Sequence, residues 1–266
     1  MLRATGYNKS AVSAQTGPHP RYHFHGYAGD QIIGDSKFFD RSGMGNHGVR
    51  GANLSEAQMF ANAGYMSTID PAGGATDSVI RLPNLNFYQA NGDKLIAFLK
   101  LKVTPEGTDQ PVFGDGGSAT YPGFRLICRT DGKLQVGMCD SLGNNSFTGT
   151  TSAAPFDGTL HSVGIIIDGQ NKKFGAWIDG VLDASLSGAY TNYATGGIDT
   201  RNSNTLNIGQ GAPTVAASTF GIAVQVRAAH VLRLAASDLM PSVAVMSSVM
   251  AQLHAIPNKP ILGGAF

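Results

Sequence analysis

The chain has 266 residues, of which only 14% are charged, with 35 glycines and a formal net charge of +1. A chain of that length buries a sizeable core without staples and suits one large all-β domain. The near-zero charge leaves no field that would gather nucleic acid or an anionic membrane, so neither is expected as a partner.

Residues 1–25 read as an extended arm. Arg3, Lys9 and Arg21 make it mildly basic, and Gly17-Pro18 and His19-Pro20 resist regular structure. No apolar run of the 7–15 residues that a signal peptide needs occurs there. No later stretch reaches the ~20 apolar residues that span a bilayer. Synthesis in the cytoplasm without membrane insertion is the expectation. His23 and His25, at i and i+2, would project from one strand face as two metal ligands without a third.

From residue 26 to 236 short strand signals dominate. They fall at Gln58 to Phe60, Ser78 to Leu82, Lys94 to Val103, Pro111 to Phe113, Phe124 to Cys128 and Leu134 to Met138. Others follow at His161 to Asp168, Lys173 to Asp179, Val181 to Leu186, Thr205 to Ile208 and Gly221 to Leu234. Turn signals separate them, among them Pro105-Glu106-Gly107, Asp131-Gly132, Asp157-Gly158, Asp168-Gly169 and Asp179-Gly180. Many short strands so punctuated predict a sandwich. Asp131-Gly132 reads as a two-residue I′ turn, which sets Gln135 opposite Cys128 and Phe124 opposite Cys139. The two sulfurs then lie about 13 Å apart at ~3.3 Å per residue, beyond the ~7 Å Cα separation that a disulfide tolerates. Two free thiols are expected.

Residues 237–266 read as a helix and tail packed on the sandwich or on a partner. Ser237 is the expected N-cap, and Leu239, Val243, Met246, Met250 and Leu253 recur at helical spacing. Pro257 and Pro260 stop the helix.

Several motifs, in order, resemble laminin-G-like/concanavalin A-like domains. Phe39-Asp40-Arg41-Ser42-Gly43-Met44-Gly45-Asn46-His47-Gly48 is similar to their opening D-x-S-G-x-x-N-x-G turn. His161 to Gly169 followed by Trp177-Ile178-Asp179-Gly180 is similar to their paired strands, Leu206-Asn207-Ile208-Gly209 to a later strand, and Val224 to Leu239 to the last strand and helix. The resemblance covers roughly residues 30 to 255. It implies an all-β antiparallel jelly-roll sandwich with one short C-terminal helix. The motifs also have plain structural duties: Gly43, Gly45 and Gly48 permit positive φ, Asp40, Ser42 and Asn46 can close the loop on its own backbone, and Trp177 fills the core.

Catalysis finds little footing. Retaining glycosidases need two carboxyl groups about 5–5.5 Å apart, and the two glutamates, Glu56 and Glu106, sit in separate segments. No G-x-S-x-G elbow supports a serine hydrolase, His161 reads as a strand-end residue bonded to a loop, and no phosphate-binding loop is present. The family resemblance raises calcium, for which Asp40, Asp115 and Asp199 are the loop acids, but no dense acidic loop supplies six to eight oxygens. No cofactor is expected.

Sugar contact remains open at loop aromatics: Tyr121, and Tyr190, Asn192 and Tyr193. Low charge, free thiols, a basic arm and the resemblance together point first to a non-enzymatic structural protein of a virus particle. A phage head-decoration, collar or tail accessory protein fits, assembled in the host cytoplasm. Its partners would be other virion proteins through the arm and further copies of itself. The alternative is a lectin-like adhesin for a cell-surface glycan, and a polysaccharide-active hydrolase stands third.

Overall fold

In the computed structural model, residues 22–28, 37–42, 44–62, 65–68, 78–82, 92–116, 123–139, 145–171, 173–185, 188–189, 206–209 and 222–256 are described. Their strands are β1 (Tyr22–Tyr27), β2 (Lys37–Phe38), β3 (Gly48–Arg50), β4 (Met66–Ser67), β5 (Ile80–Leu82), β6 (Lys94–Val103), β7 (Gln110–Gly114) and β8 (Gly123–Cys128). Then follow β9 (Leu134–Cys139), β10 (Asn145–Thr150), β11 (Leu160–Asp168), β12 (Lys173–Ile178), β13 (Val181–Leu182), β14 (Gly188–Ala189), β15 (Leu206–Ile208) and β16 (Val224–Leu234). A single-turn helix, α1 (Glu56–Met59), precedes β4, and α2 (Val243–Ala255) follows β16.

Two antiparallel sheets face each other. Sheet I runs β1-β16-β6-β11-β12-β13, with β4 also paired to β16 and β14 to β12. Sheet II runs β10-β9-β8-β7-β15-β5-β3-β2. The fold is the expected all-β sandwich. Alternation along β6 turns Leu95, Ala97, Leu99, Leu101 and Val103 inward, where they meet Phe113, Phe124, Leu126 and Val136 from sheet II. Each leucine, valine or phenylalanine among them, fully buried, contributes about 1.5–3 kcal/mol of transfer free energy.

The outward residues of β6 form a second apolar layer beneath α2. Phe98, Ile166, Trp177, Met246 and Met250 are buried there, with Ile96, Leu182, Met240 and Leu253 packed around them. Trp177 therefore fills this outer layer rather than the core between the sheets, and its Nε1 donates to Ser247 Oγ at 2.9 Å. The helix sits close at Gly164, where a Cβ would lie 2.5 Å from Met250 Sδ. Lysines of β6 fasten both ends of the extension. Lys94 Nζ donates to Ala236 O at 2.6 Å, ahead of the helix, and Lys100 Nζ donates to His254 O at 2.7 Å and Ile256 O at 2.5 Å, at its end. Six residues of strand and thirteen of helix both span roughly 20 Å, so strand and helix match in length.

Local expectations shift at four places. Tyr22–Tyr27 pairs with β16 throughout, so the sandwich begins at Tyr22 and not at residue 26. Gln58 to Phe60 belongs to α1 and its C-cap instead of a strand, because Ser55 and Gln58 form a capping box. The N-cap of α2 is Ser242 rather than Ser237, and the Asp238 carboxylate instead accepts from Ala235 N. The β8–β9 hairpin is one residue out of the expected register, with Leu134 opposite Cys128 and Gly123 opposite Cys139. Gly132 N donates to Arg129 O and Arg129 N to Lys133 O, with Gly132 at φ 76°, which is a three-residue loop closed by a glycine in the left-handed region. Cys128 is a free, buried thiol.

Candidate functional site

Beyond the end of α2 the described residues leave a cavity over the outer face of sheet I. Strand pairing sets Ser67 opposite Gln225, Gln225 opposite Lys102, and Lys102 opposite Leu160. Their neighbours Met66, Leu101 and Val226 point into the core, so alternation turns Ser67, Lys102 and Gln225 outward. This row floors a cavity of about 410 Å³ whose walls are Gln58, Ala61 and Asn62 beside α1, Thr68, Ala223, and the Thr104-Pro105-Glu106 turn. Eight of the eleven lining residues carry polar side chains, while most of the surface exposed to the cavity is apolar.

Several of those groups are held in place. Asn62 Nδ2 donates to Ser67 Oγ at 2.9 Å. Thr68 Oγ1 donates to Ile222 O at 3.2 Å and accepts from Val224 N at 3.0 Å, which ties β4 to the start of β16. Tyr65, just before β4, lies against the Arg227 guanidinium at 5.4 Å from the ring centroid. Chemically the cavity offers amide and hydroxyl donors and acceptors, one ammonium and one carboxylate. A single carboxylate cannot run a two-carboxylate glycosidic displacement.

A second cavity, about 240 Å³, adjoins the row and is lined by Lys100, Leu160, His161, Ser162, His254, Ala255 and Ile256. Asp179, in the β12–β13 turn, organises it: Oδ2 meets His161 Nδ1 at 2.7 Å, and Oδ1 accepts Ser162 N at 2.9 Å. His161 Nε2 lies 3.2 Å from Asp157 Oδ1, so His161 is bonded to loop acids as expected of a strand-end residue. Burial works against a charge on His161, but the hydrogen bond and charge of Asp179, with Asp157 added, outweigh it and raise its pKa. Burial, with Arg227 nearby, lowers the pKa of Lys100. Ser162, Asp179 and His254 are the residue types of a hydrolase triad, but the geometry is wrong. Ser162 Oγ at 2.9 Å and Asp179 Oδ1 at 3.7 Å approach the same nitrogen, His254 Nδ1, so no proton relay runs through the ring, and Ser162 is buried. The cluster clamps α2.

Tyr121, Tyr190, Asn192 and Tyr193, the sequence-derived sugar contacts, lie outside the described residues, as does Asp199. The Asp40 carboxylate is taken up by the backbone N–H groups of His25, Ser42 and Asn46 and by Ser42 Oγ, the loop closure its motif suggested. Asp115 Oδ1 accepts from Phe124 N. His25 stacks on His230 with centroids 3.9 Å apart. Among the described residues no group of three or more His, Cys, Asp or Glu side chains is placed to hold a metal ion. Ser67, Lys102 and Gln225 went unnoticed in the sequence because they meet only through strand register.

No protein-family model and no curated protein matches the chain. Solved structures do. The sialidase of Trypanosoma rangeli, in complex with sialic acid, superposes with a TM-score of 0.56 at 12% identity over 87% of this chain and 32% of the sialidase. The binding domain of botulinum neurotoxin serotype G gives 0.54 at 10% identity over 87% of this chain and 50% of that one. The CBM40 of Ruminococcus gnavus IT-sialidase, bound to α2,3 sialyllactose, gives 0.44 at 17% identity over 61% of this chain and 84% of that domain. The chain thus spans about a third of the sialidase and half of the toxin domain. At these identities the likeness is one of fold.

Proposed function

We propose that this protein is a non-catalytic carbohydrate-binding domain that holds a glycan over the Ser67–Gln225–Lys102 row. The observation that carries the reading is the lining of the larger cavity: amides and hydroxyls converging from four separate segments onto a rigid sheet. Pockets that recognise a ligand by orientation combine a fixed floor with a few placed polar groups. Vicinal sugar hydroxyls, each both donor and acceptor, complement Gln58, Asn62, Thr104 and Gln225. The likeness to the sialidase and the toxin domain supplies the fold, and the choice of ligand class rests on the cavity. Attachment to a virus particle, the first expectation from composition, has no observation behind it among the described residues or in the three structures named, and glycan binding takes its place as the leading reading.

A glycan array on the purified chain tests this. Binding to a defined subset of glycans is expected, weakened about tenfold by Gln225→Ala, the worth of one or two lost hydrogen bonds. A folded protein that binds no glycan on the array overturns the reading.

A further inference from the structure

The two cavities approach each other at one cross-strand pair. Lys102 lines the larger cavity and Leu160 the smaller, and the two residues are directly opposite each other on β6 and β11. The row Ser67–Gln225–Lys102–Leu160 crosses four neighbouring strands, about 14 Å at ~4.8 Å per strand. Helix α2 stops short of it, because Lys100, one step inward on the same face, ties off the His254 and Ile256 carbonyls.

We propose that the two cavities are consecutive subsites of one groove, and that the ligand is an extended oligosaccharide read along its chain rather than a single terminal sugar. This rests on the glycan reading and adds a ligand class to it. The subsites differ in chemistry. The larger sets amides and hydroxyls, for a ring's polar edge, within a mainly apolar surround. The smaller offers the Leu160 side chain and the His254 ring in a mainly polar surround, one flat face for the C–H side of the next unit. The His254 side chain is 45% exposed, so its ring is available to a ligand while Nδ1 stays on Ser162.

The test is an affinity series on the full chain, with glucose-, N-acetylglucosamine-, galactose- and uronic-acid-based oligosaccharides from one to six units. For whichever series binds, the trisaccharide is expected to bind about tenfold more tightly than the monosaccharide, as one added subsite contact of ~1.4 kcal/mol would give. Leu160→Trp, which fills the junction, is expected to bring that ratio to about one, and His254→Ala to lower it several-fold, which covers the case of a misfolded tryptophan variant. A ratio near one in the unaltered protein, or a ratio untouched by both substitutions, overturns the groove while leaving a single-sugar site standing. Silence across every series and length overturns the glycan reading and the groove with it.

Discussion

The two faces of β6 are built on different principles. The inward face is purely apolar, Leu95, Ala97, Leu99, Leu101 and Val103, closed by the opposite sheet. The outward face places Ile96 and Phe98 between lysines, Lys94, Lys100 and Lys102. Apolar burial suffices inside because two whole sheets meet there. Outside, among the described residues, one helix covers the sheet, and lysines fasten the Ala236 carbonyl ahead of it and the His254 and Ile256 carbonyls at its end. Lys100 marks that end, and Lys102, two residues farther, is already part of the open row. The open row begins where the helix's fastening ends.

The sharpest contrast comes from cutting each face. Leu99→Ala, in the inner face, is expected to cost about 2–5 kcal/mol of global stability, the transfer loss plus a cavity that two packed sheets cannot collapse. Equilibrium denaturation reads it as a shifted midpoint with an unchanged slope. A loss below about 1 kcal/mol would mean that the inner layer is not the dominant core.

Lys100→Met should cost less, about 1–3 kcal/mol, by leaving the His254 and Ile256 carbonyls without their charged donor at the helix terminus. Hydrogen exchange distinguishes it from the inner cut. The amides of α2 should exchange faster while those of β6 and β11 hold, and equal acceleration in both would erase the distinction between the two layers.

That asymmetry also explains what was legible in the sequence. The inner face follows from alternation alone, so β6, β11 and β16 stood out as strands. Asp179 at φ 50° and Gly180 at φ 78° form the two-residue hairpin turn their sequence advertises. Asp131-Gly132 carries the same two letters but closes a three-residue loop, because only Gly132 turns left-handed there, and the register slips by one. Ser55 and Gln58 carry the spacing of a capping box, a signal that the strand reading of Gln58 to Phe60 did not use. The outer layer was half legible: the stripe of Met246, Met250 and Leu253 gave a helix, and nothing in it said that Trp177 lay beneath. The row over which we propose binding was not legible at all. Ser67, Lys102 and Gln225 are far apart in the chain, and β4 is too short to leave a pattern.

Gly180→Ala probes the helix seat from the sheet's side. An added Cβ would lie 2.9 Å from Ala251 Cα, at a residue whose φ of 78° already disfavours a side chain. The left-handed backbone alone costs about 1–2 kcal/mol, so a loss of that size, again concentrated in α2 amides, is expected. A stabilised variant would show that this hairpin does not seat the helix.

The smallest effect concerns the charge that holds the far edge of the clamp. His161 is bonded to Asp179, which in turn fixes Ser162 N and lies 3.7 Å from His254. Its folded pKa is raised, so the stability it contributes is fully present below the unfolded histidine value of about 6.5 and is lost as pH rises through the folded value. Thermal unfolding should therefore show a melting temperature that falls as pH climbs through neutrality, and His161→Gln should flatten that fall. Asp157 works in the opposite sense. Two bonds from Thr159 offset what little desolvation it suffers, His161 adds to them, and its pKa is held down to about 2, so its share is present above the ordinary aspartate value and is lost as pH falls toward 2. The two limits leave the clamp tightest in mild acid. A melting temperature that instead rose through neutrality in the unaltered protein, or a His161→Gln profile parallel to it, would remove His161 from the clamp and leave α2 held by Lys100, by the Trp177–Ser247 and Ser162–His254 bonds and by its apolar face.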